Sequence, residues 1–363
     1  MNFKTDRDAE KRLYPWFITL NMKKLFLLFS ICLAFAACNE KPKETVEQPT
    51  DEQTVAPGSP IAIYTDSIAQ DSLRADLYLN RARAYMAEEQ VGAAMMDVNK
   101  AISLNPNNVD SYLMLADIYY MLGDETNINT TLNRAAEIAP FDSRPLVKLG
   151  ELNLLQQNYN LAAAYIDKAL KTNSYNPKAY FVKGMYFIIA EQDTVNALKN
   201  FQYAYEQDAA FYDPAEQICR IYAVQQPPFA LDYIRNVQKN FPDRANARYE
   251  LAMYLQSHGE PEEALLHYDT LLMEQPDNYM VVFNEGYVNF VYLHENEKAL
   301  EYFNRALELN PDYLDALFNK GRVLEQMGKY ADAIIIYKEV LNRQKDYELA
   351  IQALNRIQNQ AEE

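Results

Sequence analysis

Residues Lys298 to Pro311 read KALEYFNRALELNP, and the spacing within this stretch decides the fold. Ala299, Phe303 and Ala306 stand at intervals of four and three, on one stripe of a helix. A small, a large and a small residue on one stripe suit a helix held close against its neighbours. Asn310-Pro311 then ends the helix, because proline lacks the amide that would extend the hydrogen-bond ladder and disfavours helical backbone in the residue before it. The same order returns upstream as Ala264, Tyr268, Leu271 and Pro276, and downstream as Ala333, Tyr337, Val340 and Lys345.

With this stop as phase marker, successive units end at Pro106, Pro140, Ser174, Ala209, Pro242, Pro276, Pro311 and Lys345, at intervals of 33 to 35 residues. The second unit reads Tyr112, Leu115-Ala116, Tyr119, Ile128, Leu132, Ala135 and Pro140, and the eighth Leu317, Gly321, Leu324, Ala333, Tyr337 and Val340. In the third, Leu149-Gly150, Ala162, Ile166 and Ala169 keep the pattern while Asn153 replaces the aromatic. These residues resemble the tetratricopeptide repeat family over roughly residues 62 to 360. The resemblance implies an all-α fold, a right-handed superhelical solenoid of about eight helix-turn-helix repeats. Residues Tyr347 to Gln360 supply a C-terminal capping helix, and Ala62 to Gln70 a lone second helix in front; the repeat domain is expected over 61–361. Gly150, Gly184, Gly286 and Gly321 fall where paired helices cross most closely. Single extra residues near Glu191–Thr194 and His294–Glu297, and one missing near Pro227-Pro228, are expected in turns, where they cost little.

The N-terminus is of another kind. Met22-Lys23-Lys24 precedes an apolar run from Leu25 to Ala37, about 13 residues, too short to span a bilayer but suited to an export signal. Phe35-Ala36-Ala37-Cys38 resembles the bacterial lipoprotein signal, with Phe35 in place of the usual leucine, and implies lipidation at Cys38. Residues 1–37 are then extension and signal peptide, with translation expected to start at Met22. Residues 38–60, polar and rich in proline, make a flexible tether. Asn39, where an aspartate would signal inner-membrane retention in many gram-negative lipoproteins, implies an outer-membrane lipoprotein facing the periplasm. Beyond Cys32 and Cys38 only Cys219 remains, on a small buried position, so no disulfide is expected in the folded part.

The chain of 363 residues carries a net charge of −17, which argues against nucleic acid as a partner, since phosphate contacts need clustered Lys and Arg. No Gly-rich phosphate loop, HExxH or paired-cysteine motif occurs. His258 and His294 fall in turns and His267 on a second helix, as surface histidines. Neither metal, cofactor nor catalytic residue is expected, and the chain does not read as an enzyme.

The family resemblance implies that certain positions of each first helix face a concave groove. Here they include Leu79, Leu113, Tyr120, Phe181, Met185, Ile188, Tyr249, Met253, Phe283, Tyr287, Phe290 and Phe318, with Arg83, Asp117, Glu151, Lys178, Arg220, Arg322 and Glu325 around them. Two readings stay open: a site for an apolar or aromatic segment, or packing against neighbouring first helices. The Lys and Asn that clamp a carboxylate in co-chaperone members are replaced by Leu79, Arg83, Leu113 and Asp117. The expected function is a non-catalytic, lipid-anchored adaptor or scaffold of the bacterial envelope that binds a protein or peptide segment in the groove. The alternatives are capture of a surface glycan or nutrient by groove aromatics beside Asn284 and Asn319, and self-association through an array end.

Overall fold

The computed structural model describes residues 58–362; the signal segment, Cys38 and the tether up to residue 57 lie outside the described residues. Among the described residues there are helices and turns and no strands. The chain divides into two compact units at Pro214 and Ala215.

The N-terminal unit holds α1 (Pro60–Gln70), α2 (Ala75–Ala87), α3 (Val91–Leu104), α4 (Val109–Met121), α5 (Glu125–Ile138), α6 (Arg144–Leu155), α7 (Tyr159–Thr172), α8 (Pro177–Tyr186) and α9 (Thr194–Gln207). The division falls inside α10 (Tyr212–Gln225). The C-terminal unit continues through α11 (Ala230–Asn240), α12 (Ala245–Ser257), α13 (Pro261–Glu274), α14 (Tyr279–Val291), α15 (Asn296–Leu309), α16 (Leu314–Gln326), α17 (Tyr330–Arg343) and α18 (Glu348–Glu362). Within each unit successive helices pack as antiparallel hairpins, and each hairpin packs on the next.

Local chemistry sets the helix starts. Asp124, Asn176, Asp193 and Asn278 each accept a hydrogen bond from a backbone amide three residues on, which satisfies a donor that the first turn cannot. The stripe read from the sequence is the packed face: Ala299, Phe303 and Ala306 on α15 are fully buried, as are Ala333, Tyr337 and Val340 on α17. The glycines opposite make room for it. A Cβ added at Gly184 would lie 2.5 Å from the Phe201 ring, and one at Gly321 2.6 Å from Tyr337. Both rings are fully buried and have nowhere to move.

The ends are covered as expected. Ile61 and Ile68 of α1 are buried, and Ile68 joins Leu77, Tyr78 and Val98. At the other end Ala350, Ala353 and Ile357 of α18 close over Phe318, Tyr337 and Val340. Arg356 grips Glu325 with two hydrogen bonds of 2.8 Å.

Three departures from a uniform repeat have physical causes. The extra residue of the fourth repeat is not taken up by the turn; it widens the end of the first helix into a π-helical turn over Phe187–Glu191, stopped by Gln192 in the left-handed region. The short fifth repeat shortens its second helix, α11, to 11 residues where α9 has 14, and its first helix and turn take up part of the difference. In the third and seventh repeats a buried asparagine fills the aromatic slot, and it folds back on its own helix: Asn153 Nδ2 donates to the Leu149 carbonyl at 2.8 Å, and Asn289 Nδ2 to Glu285 at 2.7 Å.

Candidate functional site

In the N-terminal unit the first helices α2, α4, α6 and α8 line an open groove of about 530 Å³. Its floor is apolar, from Leu113, Met114 and Val147. Its walls are charged: Arg83 on α2, Asp110 and Asp117 on α4, Arg144, Lys148 and Glu151 on α6, and Lys178 on α8, beside the cap residue Asn176.

Ion pairs step from one helix to the next. Arg144 meets Asp110 at 2.8 Å and Asp142 at 2.7 Å, Lys148 meets Asp117, and Lys178 lies 3.3 Å from Glu151. Burial works against ionisation of Asp142, yet the hydrogen bonds from Arg144 outweigh it and hold this carboxyl below its ordinary range. At the groove's edge, burial and then the Glu151 carboxylate raise the Tyr120 phenol above its ordinary value. Arg83 differs from the other cations: its recorded partner is the neutral Asn80 Oδ1, at 2.6 Å.

The residues predicted for the groove mostly lie elsewhere in the packing. Tyr120 is 41% exposed, whereas Phe181, Met185, Met253, Phe283, Tyr287, Phe290 and Phe318 are buried, and Ile188 and Tyr249 are half-buried. Phe181 packs on Phe201 and Phe211, with the Lys178 ammonium 5.1 Å from its ring centroid. Phe283 contacts Phe303 and Tyr313, which joins its hairpin to the next, and Phe318 contacts Tyr337 and Tyr347, which joins its hairpin to the turn before α18. Phe290 sits under the Arg322 guanidinium at 5.0 Å. On α14 every residue from Val281 to Phe290 is buried, which leaves that helix no open side. Burial pushes the Tyr249 phenol up to about 12.

The two asparagines considered for sugar binding are engaged within the chain. Asn284 Nδ2 donates to the Tyr249 hydroxyl at 2.9 Å, and Asn319 bonds the Asp315 carbonyl and Arg322. Of the residues flanking the predicted aromatics, Arg83, Asp117, Glu151 and Lys178 do line the groove, with Leu113. Met114, Arg144 and Lys148 line it as well and are not among the positions read from the sequence. The signal for Arg144 and Lys148 in the chain is charge at first-helix positions of adjacent repeats. Cys219 is buried, and burial pushes its thiol well above the ordinary range.

Antiparallel helical hairpins that recur within each unit define the class as an α-helical repeat protein. Models of the tetratricopeptide repeat family match residues 75–108, 98–127, 222–279 and 289–341. This chain is similar to the mitochondrial import receptor subunit TOM70 of Rattus norvegicus, 25% identical over 281 residues, 76% of this chain and 42% of the receptor. The chain thus spans less than half the length of such curated relatives. The fold is shared with the APC/C hetero-tetramer Cut9–Hcn1 (TM-score 0.57, 17% identity, 81% of this chain and 58% of that one). A tetratricopeptide repeat protein from Parabacteroides merdae has it too (TM-score 0.51, 14% identity, 69% and 98%).

Proposed function

We propose that this chain is a non-catalytic adaptor of a bacterial cell envelope, anchored through a lipid on Cys38, that receives a segment of a protein partner in the groove of its N-terminal unit. The observation that carries this reading is the groove itself. Four successive first helices line it, and its apolar floor lies between charged walls that could fix the register of a bound segment. The resemblance to a subunit named as an import receptor supports the same role, reception of another polypeptide. The sequence around Cys38 supports the anchor, and the acidic surface suits a protein held in an aqueous compartment.

Photo-crosslinking in cells tests the groove. A crosslinking amino acid at Met114, on the groove floor, should give a protein adduct of defined size, and one at the exposed Met96 of α3 should not. Absence of an adduct at Met114, or equal adducts at both positions, would refute groove binding. Metabolic labelling with an alkyne fatty acid tests the anchor. Label should enter the wild type and be lost in Cys38→Ala; label retained in that variant would dismiss the anchor.

A further inference from the structure

We propose that one edge of the N-terminal unit, the row of turns that carries Leu73, Phe141 and Tyr175, docks on the bilayer that holds the lipid anchor, with these three side chains entering the headgroup layer. This docking rests on the anchored reading above and leaves the occupant of the groove open.

The residue directly after a repeat's stop is Asn107, Phe141, Tyr175 and Ala210 in the N-terminal unit, and Leu73 holds the same place one period before Asn107. In the C-terminal unit that place is an aspartate every time: Asp243, Asp277, Asp312 and Asp346. The turn itself asks for neither kind of side chain. It is made by the residue two places earlier, whose side-chain oxygen accepts the amide at this place: Asp71 from Leu73 at 3.2 Å, Asn105 from Asn107 at 3.3 Å, Asn173 from Tyr175 at 2.9 Å and Asn310 from Asp312 at 3.2 Å. The side chain at the place itself stands in solvent, with Leu73 77%, Phe141 92% and Tyr175 81% exposed. Neither local geometry nor packing accounts for large apolar groups there.

The three side chains share one edge, because antiparallel hairpins bring every second turn to the same side. Arg144 on Asp110 at 2.8 Å and a buried hydrogen bond of 2.8 Å from Asn176 Nδ2 to Ser143 Oγ tie the turns before α4, α6 and α8 together. Single exposed apolar residues are ordinary. A leucine, a phenylalanine and a tyrosine at the tips of one row of turns, with no charge at that place anywhere in the unit, suit the boundary between headgroups and acyl chains. The cations beside them are already paired within the chain, Arg74 with Asp76 and Arg144 with Asp110 and Asp142, so approach to lipid strips few free charges of water. Position along the chain favours the same occupant. A tether of about twenty residues between Cys38 and α1 would span roughly 25 Å as a coil, which keeps this unit close to the bilayer and lets a weak contact persist.

The test uses the processed chain, residues 38–363, which keeps every described helix. A hexahistidine tag at its N-terminus holds it on phosphatidylcholine vesicles through a nickel-chelating lipid, so the result does not depend on whether cells modify Cys38. The chain's single tryptophan, Trp16, lies outside this form, so one introduced tryptophan reports alone. On vesicles the emission of Phe141→Trp should move to shorter wavelength, and brominated phosphatidylcholine should quench it at least about threefold more than Asp277→Trp, whose neighbouring repeats carry Asp243 and Asp312 at the same place. Adding Leu73→Ser and Tyr175→Ser to Phe141→Trp should remove about half of that quenching or more. All four positions are exposed, so these variants keep the fold. Solvent-like emission at both tryptophans, or quenching indifferent to the two serines, would overturn the docking. So would a shift to shorter wavelength that needs no vesicles and grows with protein concentration, since the edge would then join second copies of the chain. The adaptor and anchor readings are judged separately, by the Met114 crosslink and by the label at Cys38.

Discussion

Phe303→Ala is expected to destabilise the C-terminal unit by about 3–5 kcal/mol, the cost of deleting a fully buried ring from a packed core. Phe303 is the large residue of the stripe that defines the repeat. It packs on Phe283 of α14 at a centroid distance of 5.5 Å, and the space for it exists because Gly286 has no side chain. A Cβ at position 286 would meet the ring at 2.9 Å. The two positions should therefore be coupled. Gly286→Ala alone should cost about 1–3 kcal/mol through overpacking, and the same change beside Phe303→Leu should cost at least about 0.5 kcal/mol less. Urea denaturation followed by circular dichroism measures all four members of the cycle. Strictly additive costs would show that ring and glycine do not share one space.

Glu285→Gln should have a comparably large effect of opposite sign, and one that depends on pH. Glu285 of α14 is 1% exposed, and its Oε1 has no hydrogen-bond partner among the described residues. It faces Asp269 on α13 and Tyr302 and Arg305 on α15. Burial first, and then the neighbouring Asp269, push its carboxyl from 4.5 up to about 8, with Tyr302 and Arg305 opposing weakly. Below pH 4.5 the folded and unfolded chains both hold the proton, and the residue makes no difference to stability. Between pH 4.5 and about 8 the unfolded chain has released the proton while the fold retains it. Stability therefore falls as pH rises, and above pH 8 the loss is complete.

At about 1.4 kcal/mol per pH unit, the penalty at pH 7 is on the order of 3 kcal/mol. Glutamine keeps the shape and the donor without the charge, so the variant should gain about that much at pH 7 and more at pH 8. Denaturation at pH 5, 7 and 8.5 decides it. Parallel pH profiles for wild type and variant would mean that Glu285 is already ionised in the fold.

These two predictions differ in how far the sequence anticipates them. Phe303, Gly286 and their spacing are visible in the chain, because a repeat must present the same small-large-small face to its neighbour in every unit. Glu285 gives no such sign. It occupies an ordinary helix position between Asn284 and Gly286, and only the approach of α13 and α15 makes it a buried acid.

Hairpin count, phase, crossing glycines and end helices are all periodic properties, and a period survives without knowledge of the third dimension. The residues that line an open groove do not follow from period alone. Phe181, Phe283 and Phe318 occupy positions equivalent to groove positions, yet each ring spans to the following helix and is consumed in packing. At that place the first three repeats carry Leu79, Leu113 and Val147, which lack the reach of a ring, and the charged ends of Arg83, Asp117 and Lys148 on the same helices stay in water and leave the groove open. Helix identity is settled by spacing along the chain. Whether a side chain fills the space between two helices or leaves it open depends on its reach and on its cost of desolvation, and both are decided only when the helices have packed.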